Sequence, residues 1–139
     1  MRKRYKGQVI VLAAIFLPVL LLLAALGVDG LLMYRDHAEL KSWAYRAAVA
    51  GASEVQSHGA DYVLTSEAPR VARDTIDTLL AGKSGCQSWV WTQGTREVAV
   101  RASCPTETLL MESLASAFGN TLTLRKLDVT VVVDARVLY

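Results

Sequence analysis

The 139-residue sequence has little histidine and cysteine, the side chains that most often hold zinc. Histidine occurs only at His37 and His58, and cysteine only at Cys86 and Cys104. A zinc site needs about four ligands that converge on one point, and these spacings do not supply them. The sequence also lacks a glycine-rich phosphate loop and a nucleophile elbow. We therefore expect no enzymatic activity, no metal and no cofactor.

Charge is absent from a run of twenty positions, residues 9–28. Nearly all of these residues are Val, Ile, Leu, Ala or Phe. At about 1.5 Å per residue, a helix of this length spans about 30 Å, the thickness of a bilayer's hydrocarbon core. A charged side chain at the centre of such a helix would cost about 2.5–3.5 kcal/mol on insertion. The run predicts a transmembrane helix over residues 8–28, with membrane lipid as its surroundings.

Positive charge is concentrated immediately before this run. Four cations, Arg2, Lys3, Arg4 and Lys6, leave eleven cations against thirteen anions in the rest of the chain. A nucleic-acid-binding protein spreads its basic side chains over a folded surface, so we expect no nucleic-acid partner. By the positive-inside rule, residues 1–7 form a basic cytoplasmic leader and the C-terminal domain is exported across the cytoplasmic (inner) membrane.

A cleaved secretory signal is the alternative interpretation of this N-terminal region. Such a signal has the same basic start and apolar centre, and Ala25-Leu26-Gly27 would serve as a small-residue cleavage site. Against it, the apolar run is long for a signal and the sequence continues beyond it without a helix breaker. A retained single-pass anchor is the preferred interpretation, and a secreted domain stays as an alternative.

Helical character continues beyond the apolar run. Residues 29–57 contain no proline and are rich in Ala, Leu, Glu and Lys. A spacing of three or four positions, typical of one helix face, links Leu31, Tyr34, Ala38, Tyr45, Ala48, Ala52 and Val55. We predict a helix from near Val9 to near Val55. Residues 29–58 would then form a stalk that ends before Gly59, because glycine commonly follows a helix C-terminus.

Small side chains form a candidate packing surface within this stalk. They are Ala44, Ala47, Ala48, Gly51 and Ala52. A helix that is apolar on nearly every side must be covered, and small residues let another backbone approach closely. Two partners fit this surface, the chain's own C-terminal domain and other subunits, and the sequence does not choose between them.

The remaining residues, 59–139, predict a small exported domain. Strands are indicated by alternating patterns, one of which surrounds Gln93-Gly94 as in a β-hairpin, and helices by a three-to-four spacing. The predicted elements are a helix over residues 66–81, strands over 88–91, 96–102 and 127–137, and a helix between Pro105 and Gly119. The fold class is α+β: a long N-terminal transmembrane and stalk helix, then a small antiparallel sheet with one or two packing helices.

Cys86 and Cys104 bracket the predicted hairpin. Export to an oxidising compartment favours a disulfide, and the two strands would bring the cysteines together. Closing a loop of this size stabilises a domain by about 3 kcal/mol in the chain-entropy model. The bond would be structural, because no Cys-x-x-Cys pair exists. Two buried free thiols are the alternative.

Two tryptophans, Trp89 and Trp91, share one face of the first hairpin strand, because they lie two positions apart. They fit either the core or an exposed patch for a partner, and the core is the preferred interpretation.

The first fifty residues resemble the TadE/TadG-like minor pilins of the Tad (Flp) type IV pilus system. The matching pieces are Lys6-Gly7-Gln8, the apolar run 9–20 with Pro18, Gly27-Val28-Asp29, Tyr34, and the alanine-rich stretch 38–52. They cover about a third of the chain. The resemblance implies a pilin-like, membrane-anchored subunit that helps to initiate, cap or assemble an adhesive surface pilus. Its partners would be other pilin-like subunits and the pilus assembly machinery.

The resemblance also implies a processing site. A prepilin peptidase would cut between Gly7 and Gln8. Processed pilins usually carry Glu at the fifth residue after the cut, where it neutralises the α-amino group of a neighbouring subunit, and this sequence has Leu12 there. Because a buried unpaired ammonium is costly, the departure favours a tip subunit or an uncut one. The alternative function is a signal-anchored single-pass protein whose exported domain binds a ligand or a protein partner.

Overall fold

The computed structural model describes residues 4–59, 61–106, 108, 110, 116, 119 and 126–138. The elements, in chain order, are helix α1 (Arg4–Ala52), strands β1 (Val55–His58) and β2 (Asp61–Leu64), helix α2 (Ala68–Leu80), and strands β3 (Gln87–Gln93), β4 (Glu97–Pro105) and β5 (Lys126–Asp134), followed by the 3₁₀ turn Ala135–Val137. A long apolar N-terminal helix with small antiparallel sheets confirms the predicted α+β fold class.

The contacts divide the chain into two compact units. The first unit comprises residues 1–34 and 108–123, and the second comprises residues 35–107 and 124–139. Helix α1 contributes its apolar N-terminal part to the first unit and its C-terminal part to the second. The last five turns of α1, residues 35–52, are therefore part of a folded domain.

In the first unit, the apolar run of α1 is exposed almost throughout. Its C-terminal end differs, because Ala25 is buried and Asp29 is only 2% exposed. The backbone N–H of Leu110 donates to Oδ1 of Asp29 at 3.4 Å. A buried carboxylate needs such donors, since its desolvation is costly. Asp29 therefore joins two chain segments that are far apart in sequence.

The second unit has one apolar core made largely of small side chains. Helix α2 contributes Ala68, Ala72, Ile76 and Leu80, which recur every four residues and so lie on one face. They meet α1 and the inner faces of β4 and β5. The largest fully buried apolar side chains are Ile76, Val98 and Val100. A core of this composition depends on close backbone approach.

The three-stranded sheet has the order β3-β4-β5, antiparallel throughout. Val90 lies opposite Val100, which lies opposite Val131, so one row of the inner face crosses all three strands. The β3–β4 turn contains Gly94 with φ +65°, the left-handed conformation that glycine adopts without strain. This hairpin is the one that the alternating pattern predicts.

Strand β5 is also predicted, but it ends earlier than the pattern indicates. After Asp134 the chain enters a 3₁₀ turn, where Oδ1 of Asp134 accepts the N–H of Arg136 at 2.9 Å. Val137, predicted to lie on the inner face of the strand, is consequently 80% exposed. The hydrogen bond from the Asp134 side chain thus stabilises a 3₁₀ turn where the pattern predicts the end of the strand.

The region around Gly59 differs from the expectation. Helix α1 ends at Ala52 rather than near Val55, and residues up to Leu64 form the two-stranded β1–β2 hairpin. Gly59 has φ +66°, but it serves the hairpin turn and not a helix C-terminus. The stalk predicted over 29–58 is therefore helical only to residue 52. The left-handed conformation suits both contexts, and so glycine alone does not distinguish them.

Most of the helix predicted between Pro105 and Gly119 lies outside the described residues. Its predicted inner residues Leu114, Ala117 and Phe118 are among those not described. Leu110 and Ser116 have helical backbone geometry. Gly119 has φ +74°, and its N–H donates to the carbonyl of Ser116 at 3.2 Å.

Candidate membrane anchor and packing surfaces

The apolar part of α1 is the candidate anchor. Within the part of the chain that the structure describes, the helix from Gln8 to Ala52 is long and apolar enough to cross a membrane. Its large side chains, from Val9 to Leu23, are exposed on every side of the helix. Burying such side chains is favourable by about 1.5–3 kcal/mol each, so a helix of this kind requires an apolar environment. The chain itself covers almost none of the apolar part of this helix, so this part is not the core helix of a globular domain.

The residues predicted to take part in processing lie near the start of this helix. Helix α1 begins at Arg4, so the backbone at Gly7 and Gln8 is helical. Leu12 lies one turn further on, and its side chain is exposed with its apolar neighbours. Cleavage at Gly7 stays a prediction.

The small-residue surface of α1 lies against the chain's own core. Ala44, Ala47, Ala48 and Ala52 are completely buried, and they pack with α2 and β4. Gly51 is closest of all: a Cβ at this position would lie 2.8 Å from the Cβ of Ala72 and 2.9 Å from the carbonyl oxygen of Ala68. Small residues here therefore permit the helix, α2 and the sheet to approach one another. Packing of this surface against other subunits stays a prediction.

Helix α1 also carries larger apolar side chains that the described part of the chain leaves uncovered. Leu31 and Tyr34 are 71% and 74% exposed, and Tyr45 is also exposed. The spacing that links these residues correctly predicts a helix, but the buried face is formed by Leu40 and the small residues from Ala44 onward. Ala48 and Ala52 share the predicted spacing and belong to the buried face. Small residues admit a neighbouring backbone and tyrosine does not, so Tyr45 stays outside this face.

A lysine after α2 fixes the end of that helix to α1. Nζ of Lys83 lies 3.2 Å from Oε2 of Glu39 and 4.8 Å from the ring centre of Trp43. Both interactions are at the surface, where an ion pair contributes up to about 1 kcal/mol. The sequence separation of 44 residues between Lys83 and Glu39 explains why no local pattern reveals this contact.

The two cysteines form a disulfide, with a sulfur–sulfur distance of 2.07 Å and a separation of 18 residues. Cys86 directly precedes β3, and Cys104 lies near the end of β4 on its inner face. The bond thus joins the two ends of the hairpin that the sequence places between them. It holds β3, an outer strand, to the central strand of the sheet.

The outer face of the sheet carries an aromatic patch, Trp89 and Trp91, whose side chains are 43% and 36% exposed. Their assignment to the core is wrong, because Val90, Val98 and Val100 occupy the inner face. The guanidinium of Arg101 lies 5.5 Å from the ring centre of Trp89. The sequence does not reveal this contact, because it depends on the register that places Trp89 opposite Arg101.

Arg101 is held in turn by Asp128 on β5. Its Nε lies 2.8 and 3.0 Å from the two carboxylate oxygens, and Nη2 also donates to Asp128. These hydrogen bonds lower the pKa of Asp128 and raise the pKa of Arg101, because they favour the charged form of each group. The pair links the outer faces of β4 and β5.

Ligand chemistry is limited among the residues that the structure describes. They contain no group of three or more His, Cys, Asp or Glu side chains arranged to hold a metal ion. The geometry instead consists of an exposed apolar helix, a packed small-residue face, and an outer sheet face with two tryptophans. The exposed apolar helix fits a membrane anchor.

Comparison with known proteins bears on the N-terminal part of the chain. Residues 7–54 match the model of a family described as putative Flp pilus-assembly TadE/G-like. The match confirms the resemblance of the first fifty residues. It supports involvement in Flp pilus assembly, with a structural rather than an enzymatic role. No curated protein and no solved structure matches the chain.

Proposed function

We propose that this chain, TadE/G-like over residues 7–54, is a minor pilin-like subunit of a Tad/Flp-type pilus. It helps to initiate, cap or assemble the filament for surface adhesion. The observation that carries the proposal is the construction of α1. Its matched segment is an uncovered apolar helix at one end and a core element of a folded domain at the other.

The proposed topology has the basic leader, residues 1–7, in the cytoplasm and the second unit on the far side of the inner membrane. The charge distribution around the apolar run supports this orientation. The disulfide between Cys86 and Cys104 supports it independently, because disulfides persist in oxidising compartments. A reporter enzyme fused after Tyr139 that is active only outside the cytoplasm should therefore be active.

The proposed partners are other pilin-like subunits, the assembly machinery and a prepilin peptidase. The exposed side of α1, with Leu31, Tyr34 and Tyr45, supports contact with other apolar helices. Leu12 supports a subunit that is not stacked repeatedly along the filament, because it provides no carboxylate for a neighbour's α-amino group. A tip subunit and an uncut assembly component both satisfy this condition.

Intact-mass measurement of the full-length protein purified from its membrane distinguishes these forms. Loss of residues 1–7 identifies a processed subunit, and retention identifies an uncut one. A mature protein that begins near Val28 would contradict the proposal, because the apolar part of the matched segment, which is the proposed anchor, would then have been removed.

The assembly role is tested in cells that lack the chain. We expect fewer pili by electron microscopy and weaker surface attachment, with recovery on complementation. Mild crosslinking of the tagged full-length protein should recover other pilin-like subunits, and an unrelated single-pass protein with the same tag is the control. Unchanged piliation together with no pilin-like subunit in the crosslinked fraction would refute the assembly role.

A second candidate function is an anchored protein whose exported domain binds a ligand or a protein. The exposed Trp89 and Trp91 favour it, because aromatic side chains are enriched at recognition surfaces. Replacing both tryptophans with alanine would then weaken surface attachment, while the number of pili would stay normal. Loss of pili in the same variant would favour the assembly role.

A further inference from the structure

The outer edge of β5 is a strand edge without a neighbour in the described part of the chain. The sheet order β3-β4-β5 makes β5 an outer strand. Beyond its end, the N–H of Ala135 donates to the carbonyl of Arg96 at 3.0 Å, in the same register as the strand. Because backbone groups alternate in direction along an antiparallel strand, odd-numbered residues face β4. The N–H and C=O groups of the even-numbered residues therefore point outward.

This edge has few of the features that block strand pairing. It is nine residues long, contains no proline, and is uncharged from Val129 to Val133. Short length, proline, bulges and central charges are the usual protections of an edge strand. The charges of β5 lie near its ends, at Lys126, Asp128 and Asp134. An unprotected edge of this length is suited to another strand.

The charged side chains near the two ends of β5 differ in whether they form an ion pair within the described part of the chain. Asp128 is held by Arg101. Lys126 and Asp134 have no ion pair among the described residues, and Asp134 accepts only the N–H of Arg136 through Oδ1. They have opposite sign, they are eight positions apart, and both belong to the even-numbered set. Their side chains therefore lie on the same, outer face of the sheet as Thr130.

We propose that two copies of this chain pair antiparallel through β5, with Thr130 of one copy opposite Thr130 of the other. In this register all nine residues overlap, and even-numbered residues face even-numbered residues, as the outward backbone groups require. Lys126 of each copy then lies opposite Asp134 of the other. A twofold axis through Thr130 produces this ion pair twice, and the two sheets become one sheet of six strands.

Neighbouring registers satisfy the charges less well. A shift by two residues in one direction places Lys126 opposite Val132. A shift in the other direction places Asp128 opposite Asp134, and like charges directly opposite each other destabilise a strand pair. The charge pattern of β5 is self-complementary in one register, which favours pairing with a second copy in that register. This inference concerns the second unit and does not depend on the proposed role in pilus assembly.

The test uses the full-length chain in detergent, with the native disulfide intact. In a hydrogen-bonded antiparallel pair the Cα atoms lie about 5.5 Å apart, within the range that a disulfide spans. Thr130→Cys should therefore form a covalent dimer under mild oxidation, visible on a non-reducing gel. Gln93→Cys is the matched control, because Gln93 is an exposed outer-face residue on β3, the other outer strand. It should remain monomeric.

Charge reversal then tests the register. In the Thr130→Cys background, Lys126→Asp or Asp134→Lys should lower the dimer fraction about fivefold, since each converts two attractive pairs into repulsive ones. The double exchange restores both pairs and should restore the dimer. Crosslinking of Thr130→Cys no stronger than that of Gln93→Cys would overturn the proposal. An equal dimer fraction with and without a single charge reversal would also overturn the proposal. So would a double exchange that does not restore the dimer fraction.

Discussion

At the scale of single residues, the second unit depends on side chains that are unusually small. Four alanines of α1 and two of α2 have no exposed surface, and Gly51 lies among them. The distances at Gly51 leave no room for a methyl group. Since packed interiors tolerate added volume poorly, the identity of these residues is fixed by the space between elements rather than by helix propensity.

Gly51→Ala should destabilise the protein by about 1–2 kcal/mol. The gain in helix propensity is about 1 kcal/mol, but overpacking against Ala72 and the backbone of Ala68 costs about 1–3 kcal/mol or more. Gly30→Ala in the same helix is the control, because a Cβ there meets nothing within 4 Å. Urea unfolding of both variants measures the effect. Equal stability of Gly51→Ala and the wild type would show that the close approach is absent.

The Arg101–Asp128 pair should make stability depend on pH in the acid range. The pKa of Asp128 is lowered from its usual 3.8 by the hydrogen bond from Arg101. The carboxylate form therefore stabilises the folded state above about pH 3.8, and this contribution is lost as the pH falls through the lower pKa of the folded protein. Asp128→Asn should remove it.

Unfolding curves between pH 6 and pH 2 test this dependence. The wild type should be more stable than Asp128→Asn at pH 6, and the difference should shrink as the pH falls below 3.8. Asp36→Asn is the control, because Asp36 has no ion pair among the described residues and takes no part in the sheet. A difference that stays constant over the whole range would contradict the assignment.

At the scale of elements, sequence periodicity predicts most of the second unit. Helix α2 and strands β3, β4 and β5 are all indicated by their apolar patterns, because each has one clearly buried face. The β1–β2 hairpin is missed, since its strands are four residues long and Gly59 also fits a helix end. The small-residue face of α1 is indicated by the sequence as a packing surface, but its partner is not, because the elements that pack on it decide that.

The candidate site follows the same division. The apolar anchor and the cysteine pair can be predicted, because composition and spacing carry the signal. The contacts of Lys83 with Glu39 and of Arg101 with Trp89 cannot, because they depend on tertiary packing and on strand register. Assignment of the tryptophans to the core fails for the same reason: alternation identifies a shared face but not which face is covered.

Loss of the disulfide should lower the free energy of unfolding by about 3 kcal/mol, since the 18-residue separation sets the entropy of the unfolded chain. Cys86→Ser, Cys104→Ser and the double variant should be destabilised alike, because each lacks the bond. Thermal unfolding with and without reductant measures this. Reductant should lower the wild type to the level of the variants and leave the variants unchanged. A wild-type stability insensitive to full reduction would count against a structural role.

At the scale of the whole molecule, one continuous helix serves two environments. Its N-terminal part has exposed apolar side chains and its C-terminal part is buried in a protein core. The family match covers both parts and stops two residues after α1 ends. The matched segment is therefore the anchor together with the helix that the domain folds around.

A charge in the middle of the anchor should release the chain from the membrane. Leu20→Arg adds about 2.5–3.5 kcal/mol to the cost of insertion. We expect a smaller membrane fraction that resists alkaline extraction, measured by immunoblot. Leu20→Ala is the control, since it removes volume without adding charge. Full retention of Leu20→Arg in the extracted membrane would show that this segment does not cross the bilayer.

The position of the disulfide in the sequence also sets an order of assembly. Cys104 is the last residue needed for the bond, and β5 begins only at Lys126. Because the chain emerges in sequence order, both cysteines become accessible before β5 does, and the disulfide can close the β3–β4 hairpin before β5 pairs with β4. Strand β5 thus pairs last, with a hairpin that is already cross-linked. Before β5 pairs, the backbone N–H and C=O groups along one edge of β4 are exposed.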